Sequence, residues 1–357
     1  MKIVYGVCSW GLGHATRSLP VIRALLKEDH ELTVISHDRA LTLLRSELGD
    51  TATYEDIPDY PMLLSENRRQ FLAKSAVYWP VFIHRIEQGL QSLQDVLKQQ
   101  PHDCIISDGR YDMYSRRLPS FFISHQMRIM NPLRLKLIER GSERFNLFFF
   151  NRFTAIIVPD TKTNNLSGDL SHNLTLIDED DIHYVGPLSD FRKKRLTKTI
   201  DYLISLSGPE PQRTMLEEKL LTQLQDLHGT IAITQGKTET TTKTTHDNIT
   251  TYTSVSRTTR ENLLNKAKTV IARSGYTTIM DLAVIGTKAL LIPTPGQIEQ
   301  EYLADYHQAA GRFATASQHT VDLSVDLNKV KATTGITKTQ PVTKTVDNIL
   351  DIIHQHS

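Results

Sequence analysis

Near the start of the chain, Ser9-Trp-Gly-Leu-Gly-His-Ala-Thr-Arg17 places two glycines, a histidine and an arginine where an apolar run gives way to an amphipathic one. Gly11 and Gly13 let a backbone turn tightly and approach a ligand, and His14 is a side-chain type able to take up a proton at neutral pH. Two further segments, Ser107-Asp108-Gly109-Arg110 and Ser124-His125-Gln126, each follow a short apolar run. Asp108 is a candidate general base or base-orienting group, and His125 and Gln126 are candidates for positioning an acceptor together with Gly11, Gly13 and Arg17. The sequence leaves open whether His14 or Asp108 takes the proton, and an Asx turn is the plainer role for Asp108.

A second constellation lies between Arg273 and Glu301. Arg273-Ser-Gly-Tyr276 reads as a turn leading into a helix over Thr277–Ile285 that ends at Gly286. Ser274 and Gly275 stand at the helix entry, where free backbone N–H groups and the helix dipole favour an anion. Thr278 and Asp281, three residues apart, share one helix face; a short carboxylate there can accept two hydrogen bonds from a vicinal diol such as ribose. The next apolar run, Ala289–Ile292, leads into Pro293-Thr-Pro-Gly-Gln297 and then Ile298-Glu-Gln-Glu301. Gln297, Glu299, Gln300 and Glu301 supply donors and acceptors suited to sugar hydroxyls. These groups suit a nucleoside diphosphate sugar held without a metal. Read singly, Asp281 is an ordinary helix-surface acid, and Glu299 and Glu301 favour a helix N-terminus.

The elements that must position these residues alternate strand and helix. Ile3–Val7, Leu32–Ile35, Cys104–Ile106, Phe121–Ile123 and Ala155–Val158 are brief apolar runs of the kind found in buried parallel strands, and Arg17–Leu26 and Val77–Leu97 are helical in spacing. After Tyr184–Val185 and the Gly186-Pro187 turn the pattern restarts, with runs at Tyr202–Leu206, Thr230–Ile233, Thr251–Val255, Thr269–Ile271 and Ala289–Ile292. The reading is an α/β fold of two Rossmann-like domains facing a cleft: 1–189 on the acceptor side and 190–340 for the nucleotide sugar. A C-terminal helix over 341–357 carries Val346, Ile349, Leu350 and Ile353 on one face and can pack back on the first domain. Thr238–Thr251 lacks apolar periodicity and reads as a polar loop or exposed hairpin.

The segment Arg273-Ser-Gly-Tyr-Thr-Thr-Ile-Met-Asp281, Gly286 and Pro293-Thr-Pro-Gly-Gln-Ile-Glu-Gln300 resembles the donor motif of the family 28 glycosyltransferases, the MurG-like type of GT-B enzyme. The resemblance implies that Asp281 holds the ribose and that Gly275–Thr278 contributes to nucleotide and phosphate binding. It places Gln300 and Glu301 where the family has a sugar-reading Gln-Gln pair. Glu301 departs from that pattern, so the resemblance does not name the sugar. Ser205-Leu-Ser-Gly208 falls where the family has a phosphate loop, making Ser207, Gly208 and Arg213 the implied diphosphate contacts; a plain strand-helix turn is the alternative. The Gly11–Arg17 loop is similar to the Gly-x-Gly-His-x-x-Arg signature of the same family, in its archaeal and bacterial MurG-like branch. As a dinucleotide fingerprint it is incomplete, lacking the third Gly or Ala.

The function this implies is inverting, metal-independent transfer of a hexose or N-acetylhexosamine from a UDP-sugar to a hydroxyl acceptor, lipid-linked or on a glycan. The donor is a substrate, and no cofactor or metal is called for. A UDP-sugar epimerase on the same architecture and a non-catalytic nucleotide-sugar-binding protein are the alternatives. Lys+Arg of 41 against Asp+Glu of 40 gives no support to nucleic acid as a partner. Cys8 and Cys104 fit neither a zinc-site spacing nor a disulfide framework. With no secretion signal in view and no apolar run of about 18 residues, a cytoplasmic protein is expected. Residues 127–153 interleave Arg128, Arg134, Lys136, Arg140, Arg144 and Arg152 with Leu133, Leu137, Ile138, Phe145 and Phe148-Phe-Phe150. An internal helix pair with solvated charges is the favoured reading of that stretch. Peripheral contact with the inner face of a membrane is the lesser one.

Overall fold

The computed structural model describes residues 1–60, 68–131, 133–237 and 242–356, without the side chains of 68–77. The chain divides into two units, Met1–Asp190 with Gln340–Ser357, and Phe191–Thr339.

The first unit contains strands β1 (Lys2–Val7), β2 (Glu31–Ser36), β3 (Thr53–Asp56), β4 (Cys104–Asp108), β5 (Ser120–Ile123), β6 (Ala155–Val158) and β7 (Ile182–Tyr184), with helices α1 (Gly13–Lys27), α2 (Asp38–Leu48), α3 (Arg68–Gln99) and α4 (Lys136–Phe150) between them. The sheet order is β3-β2-β1-β4-β5-β6-β7, parallel throughout. β1, β4, β5 and β6 are buried along nearly their whole lengths, which is why their sequences are continuous apolar runs. β3 is different. Thr53-Tyr-Glu-Asp is a half-exposed edge strand without an apolar run, and the sequence reading passed over it.

The second unit contains β8 (Ile200–Ser205), β9 (Ile231–Thr234), β10 (Lys243–His246), β11 (Ile249–Tyr252), β12 (Ala267–Ala272), β13 (Lys288–Leu291) and β14 (Ala314–Thr315), with α5 (Gln212–Leu221), α6 (Arg257–Lys266), α7 (Tyr276–Ile285), α8 (Ile298–Ala309) and α9 (Leu323–Lys331). The order is β10-β11-β9-β8-β12-β13-β14, parallel except for the β10–β11 hairpin. The strand expected at Thr251–Val255 instead spans Ile249–Tyr252, because Ile249 pairs with Ile231 of β9 and Ser256 already caps α6. The Thr-rich stretch supplies the hairpin from Lys243 onward, and its residues 238–241 lie outside the described residues. Gly286 ends α7 in the left-handed conformation, φ 74°, its N–H returning to the Leu282 carbonyl.

The last helix, α10 (Val342–His356), belongs to the first unit and packs on α1. Its buried stripe includes Val346, Ile349, Leu350 and Ile353; Ile349 and Ile353 are fully buried, each contributing about 2 kcal/mol by area removed from water. Among the described residues no helix is long and apolar enough to cross a membrane. α4 buries one face through Glu143, Asn146, Phe149 and Phe150 and leaves the other, with Lys136, Arg140 and Arg144, in solvent. Leu137 at its first turn is 82% exposed and Phe148 60%, and Leu133, Leu135 and Ile138 are exposed beside them.

Candidate functional site

Each sheet's strand order reverses near its centre, and that is where an open parallel sheet forms a ligand crevice at its carboxyl edge. In the first unit the reversal lies between β1 and β4, with Val7 opposite Asp108. In the second it lies between β8 and β12, with Ser205 opposite Ala272, and β13 continues the same edge with Leu291 opposite Ala272. The residues singled out from sequence sit on the loops leaving these strands.

At the first reversal, α1 begins at Gly13, so His14 and Arg17 stand one turn apart and face the end of β4. Asp108 is fully buried. Its carboxylate accepts from His14 Nδ1 at 2.8 Å, from Arg17 Nε at 2.9 and 3.0 Å, and from Ser18 Oγ at 2.8 Å, with Arg17 Nη2 also bonded to it. Burial alone would raise the Asp108 pKa, but the Arg17 guanidinium and His14 overcome it and hold the carboxyl well below its usual range. A carboxylate so surrounded is an orienting group and a poor base. A carboxylate only accepts, so the 2.8 Å contact favours the proton on His14 Nδ1; Arg17 Nη2, 3.0 Å from the same nitrogen, then spends its hydrogen on Asp108, and Nε2 keeps a lone pair on a side chain 20% exposed. Gly109, φ +74°, makes room for the ring: a Cβ there would stand 2.7 Å from His14 Cε1.

Arg17 Nη1 also donates to His125 Nδ1 at 3.2 Å, bringing His125 into the same network. Gln126 is bound through its main chain, its N–H donating to Ser124 Oγ and its carbonyl accepting from Asn146 of α4. Gly11 takes φ +70°. Sequence reasoning missed the support beneath this loop. Asp59 accepts from the N–H and Oγ of Ser9, both at 2.6 Å, and the Tyr60 carbonyl accepts from Trp10 Nε1 at 2.7 Å. The fully buried Arg110–Asp112 pair holds the neighbouring Ile57 carbonyl at 2.8 Å. Pro58-Asp-Tyr-Pro61 carries no signal beyond that of a turn.

At the second reversal the central residue is Arg273, 2% exposed. Its Nη1 donates to the carbonyls of Ile292 and Pro293 at 3.3 and 3.1 Å, and its Nη2 to the Gln212 carbonyl at 2.8 Å and Gln318 Oε1 at 2.6 Å. No carboxylate among the described residues pairs with it, and burial pushes its pKa down to about 10. Arg273 Nε and Thr294 Oγ1 are both buried with no hydrogen-bond partner. Gly208 stands beside both: with φ +107°, a Cβ there would lie 3.6 Å from Thr294 Oγ1 and 3.9 Å from Arg273 Nε. Three groups that suit an anion therefore converge on the loop after β8. Gly275, the N-cap of α7, faces open space, with nothing within 4 Å of where a Cβ would be.

Arg213 is engaged elsewhere. Its guanidinium bonds to Glu217 at 3.0 Å, to Glu210 and to the Gln235 carbonyl, whereas Arg273 stands beside the exposed Gly208, with Ser207 half-exposed. Asp281 is not a helix-surface acid; it is 5% exposed, with Tyr276 and Ser274 also buried and Thr278 half-exposed. Several residues expected to read the sugar also brace the loop after β13. Gln300 Oε1 accepts from Thr294 N–H, Glu301 Oε1 from Gly296 N–H, and Gln297 Oε1 caps α8 through Gln300 N–H, all at 2.9 Å. Ser274 Oγ donates to the Gln300 carbonyl at 2.7 Å, tying this loop to the α7 entry, and Glu299 is half-exposed in the first turn of α8.

Comparison with known proteins places both constellations in one setting. Residues 1–111 match glycosyl transferase family 1, and residues 209–329 match the glycosyltransferase family 28 C-terminal domain. An uncharacterized glycosyltransferase of Methanosarcina mazei is 26% identical over 197 residues, 53% of this chain and 51% of that protein. The chain spans about half the length of the curated relatives it matches. Among solved structures, the kitacinnamycin glycotransferase superposes with a TM-score of 0.65 at 14% identity, over 99% of this chain and 98% of that one. MurG of Acinetobacter baumannii superposes with a TM-score of 0.59 at 13% identity, over 99% and 100%. At such identities the likeness is one of fold.

Proposed function

We propose that this chain, whose two parts match glycosyltransferase family models, is a MurG-like GT-B glycosyltransferase that transfers a hexose or N-acetylhexosamine from a UDP-sugar to a hydroxyl acceptor. The observation that carries the reading is Arg273: a buried cation with no carboxylate partner among the described residues, its Nε unpaired beside an equally unpaired Thr294 Oγ1 and a glycine. A buried charge without a counterion is costly, and a diphosphate at that point would supply one. The α7 N-terminus would add its dipole, and Asp281 would take the ribose hydroxyls.

In the proposed reaction the acceptor oxygen attacks the anomeric carbon as its proton passes to His14 Nε2. The bond from that carbon to the diphosphate oxygen breaks, and UDP leaves with the electron pair. Asp108 keeps its charge throughout; it fixes the His14 tautomer and stabilises the imidazolium that forms. Direct displacement inverts the anomeric configuration. The donor-side groups need no metal to neutralise the leaving group, since Arg273 and the helix N-terminus do so.

The exposed apolar residues at the start of α4, interleaved with exposed Arg134, Lys136, Arg140 and Arg144, favour an acceptor presented at an anionic membrane surface. That pattern is apolar area to insert and cations to meet headgroups.

Calorimetric titration with UDP and uridine tests the donor reading. Wild type should bind UDP far more tightly than uridine. Arg273→Met and Gly208→Ala should erase most of that difference while leaving uridine affinity unchanged. A UDP preference that survives both substitutions would remove the diphosphate assignment.

A further inference from the structure

Away from the residues discussed so far, two side chains of the α1–β2 turn meet a third from the far end of the chain. Glu28 follows the last turn of α1, His30 immediately precedes β2, and His354 lies in the last turn of α10. Their ligand-type atoms all lie within 4.8 Å of one another. Glu28 Oε2 is 3.4 Å from His30 Nε2 and 3.3 Å from His354 Nε2.

We propose that Glu28, His30 and His354 form a structural zinc site that fastens α10 to the α1–β2 corner. The distances are those that a bound ion would impose. Four-coordinate zinc holds imidazole nitrogen and carboxylate oxygen at about 2.0–2.1 Å, which separates any two tetrahedral ligand atoms by about 3.4 Å. Both nitrogen-to-oxygen separations match that edge. A second observation points the same way: His30 Nε2 is buried with no hydrogen-bond partner, although a carboxylate oxygen stands near it. A buried polar atom left unpaired calls for an explanation; a bound ion would supply one, with the N-terminal amine of Met1, 3.1 Å from His30 Nδ1, accepting the Nδ1 proton in its neutral form.

The donor set is chemically coherent. Two imidazoles and one carboxylate suit Zn²⁺ and neglect Mg²⁺ and Ca²⁺, which want oxygen ligands throughout. The site is partly open, with Glu28 and His354 side chains 42% and 41% exposed, so an ion can enter and water can complete the shell. Its role would be mechanical. α10 is the segment by which the chain returns to the first unit after residue 339, and its own hold there is an apolar stripe ending at Ile353. A metal at His354 would stop the final turn from fraying. It would also couple that turn to the first helix, whose other end carries His14 and Arg17.

The test is titration of chelator-treated protein with ZnCl₂, read by calorimetry and by the thermal unfolding midpoint. Wild type should bind one zinc per chain and unfold at a higher temperature with it. Glu28→Gln and His354→Ala should each weaken binding by about tenfold or more, since even lost outer-shell partners cost that much, and should abolish the thermal shift. His354 is exposed at the chain end, so its variant should melt like wild type without metal. His356→Ala should bind as wild type does. No zinc binding by the wild type would overturn the proposal, as would equal losses in His354→Ala and His356→Ala, which would mean a chelating tail.

Discussion

Gly109→Ala perturbs the proposed base without removing any functional group. The added methyl would stand 2.7 Å from His14 Cε1, 3.0 Å from His14 Nδ1 and 3.4 Å from Cys8 Cβ. Ordinary carbon contacts begin near about 3.5 Å, so the ring must retreat by roughly 0.8 Å. The backbone also pays: φ is +74°, and an L-residue there costs about 1–2 kcal/mol. A misplacement of about 1 Å can cost on the order of 10²-fold in rate, so turnover should fall by roughly 10- to 100-fold. UDP affinity should not change, since the proposed donor contacts lie in residues 207–301. The assay follows free UDP released from a UDP-sugar that the wild type turns over, with UDP titration and the unfolding midpoint as controls. Turnover within about twofold of wild type, from a folded variant, would refute the role given to His14.

Removing the Asp281 carboxylate by Asp281→Ala should weaken UDP by about tenfold or more, because hydrogen bonds to a charged group contribute about 1.5–3 kcal/mol; titration with UDP checks it. Asp108 titrates below its usual value when folded, so its contribution to stability is present above the unfolded pKa of about 3.9 and is lost as pH falls toward the depressed folded value. Asp108→Asn should therefore flatten the acid limb of the stability curve. It should also cost about 3–5 kcal/mol at neutral pH, by leaving Arg17 buried and uncompensated; denaturant unfolding at several pH values measures both. Leu137→Glu should abolish sedimentation with anionic vesicles at low salt and leave UDP binding intact.

The α/β architecture is legible because buried parallel strands must be apolar on both faces. Ile3–Val7, Cys104–Ile106 and Ala155–Val158 say so directly. Where a strand is at an edge the signal fades, as at Thr53–Asp56, and the two-residue β14 offers no run to read. The loops that carry chemistry are visible through their glycines and titratable residues. What each side chain does within them depends on neighbours far away in sequence. Arg213 and Arg273 are equally plausible phosphate ligands on paper; the first meets Glu217 one turn along its own helix, and the second meets only neutral oxygens. Asp108 could be base or brace until Arg17 and Ser18 are seen to surround it. The support from Asp59 and the meeting of His354 with Glu28 and His30 are long-range pairings that no local pattern encodes.

The most direct test of the central claim is NMR of anomerically ¹³C-labelled UDP-, GDP- and dTDP-hexoses and N-acetylhexosamines incubated with the protein and a membrane lipid extract. The account predicts that the anomeric carbon of a UDP-sugar loses its coupling to phosphorus as free UDP accumulates. The label should reappear in a glycoside of inverted configuration, and the conversion should be lost in His14→Ala. A sugar that stays on its nucleotide and is epimerised, or a full panel recovered unchanged, would contradict it.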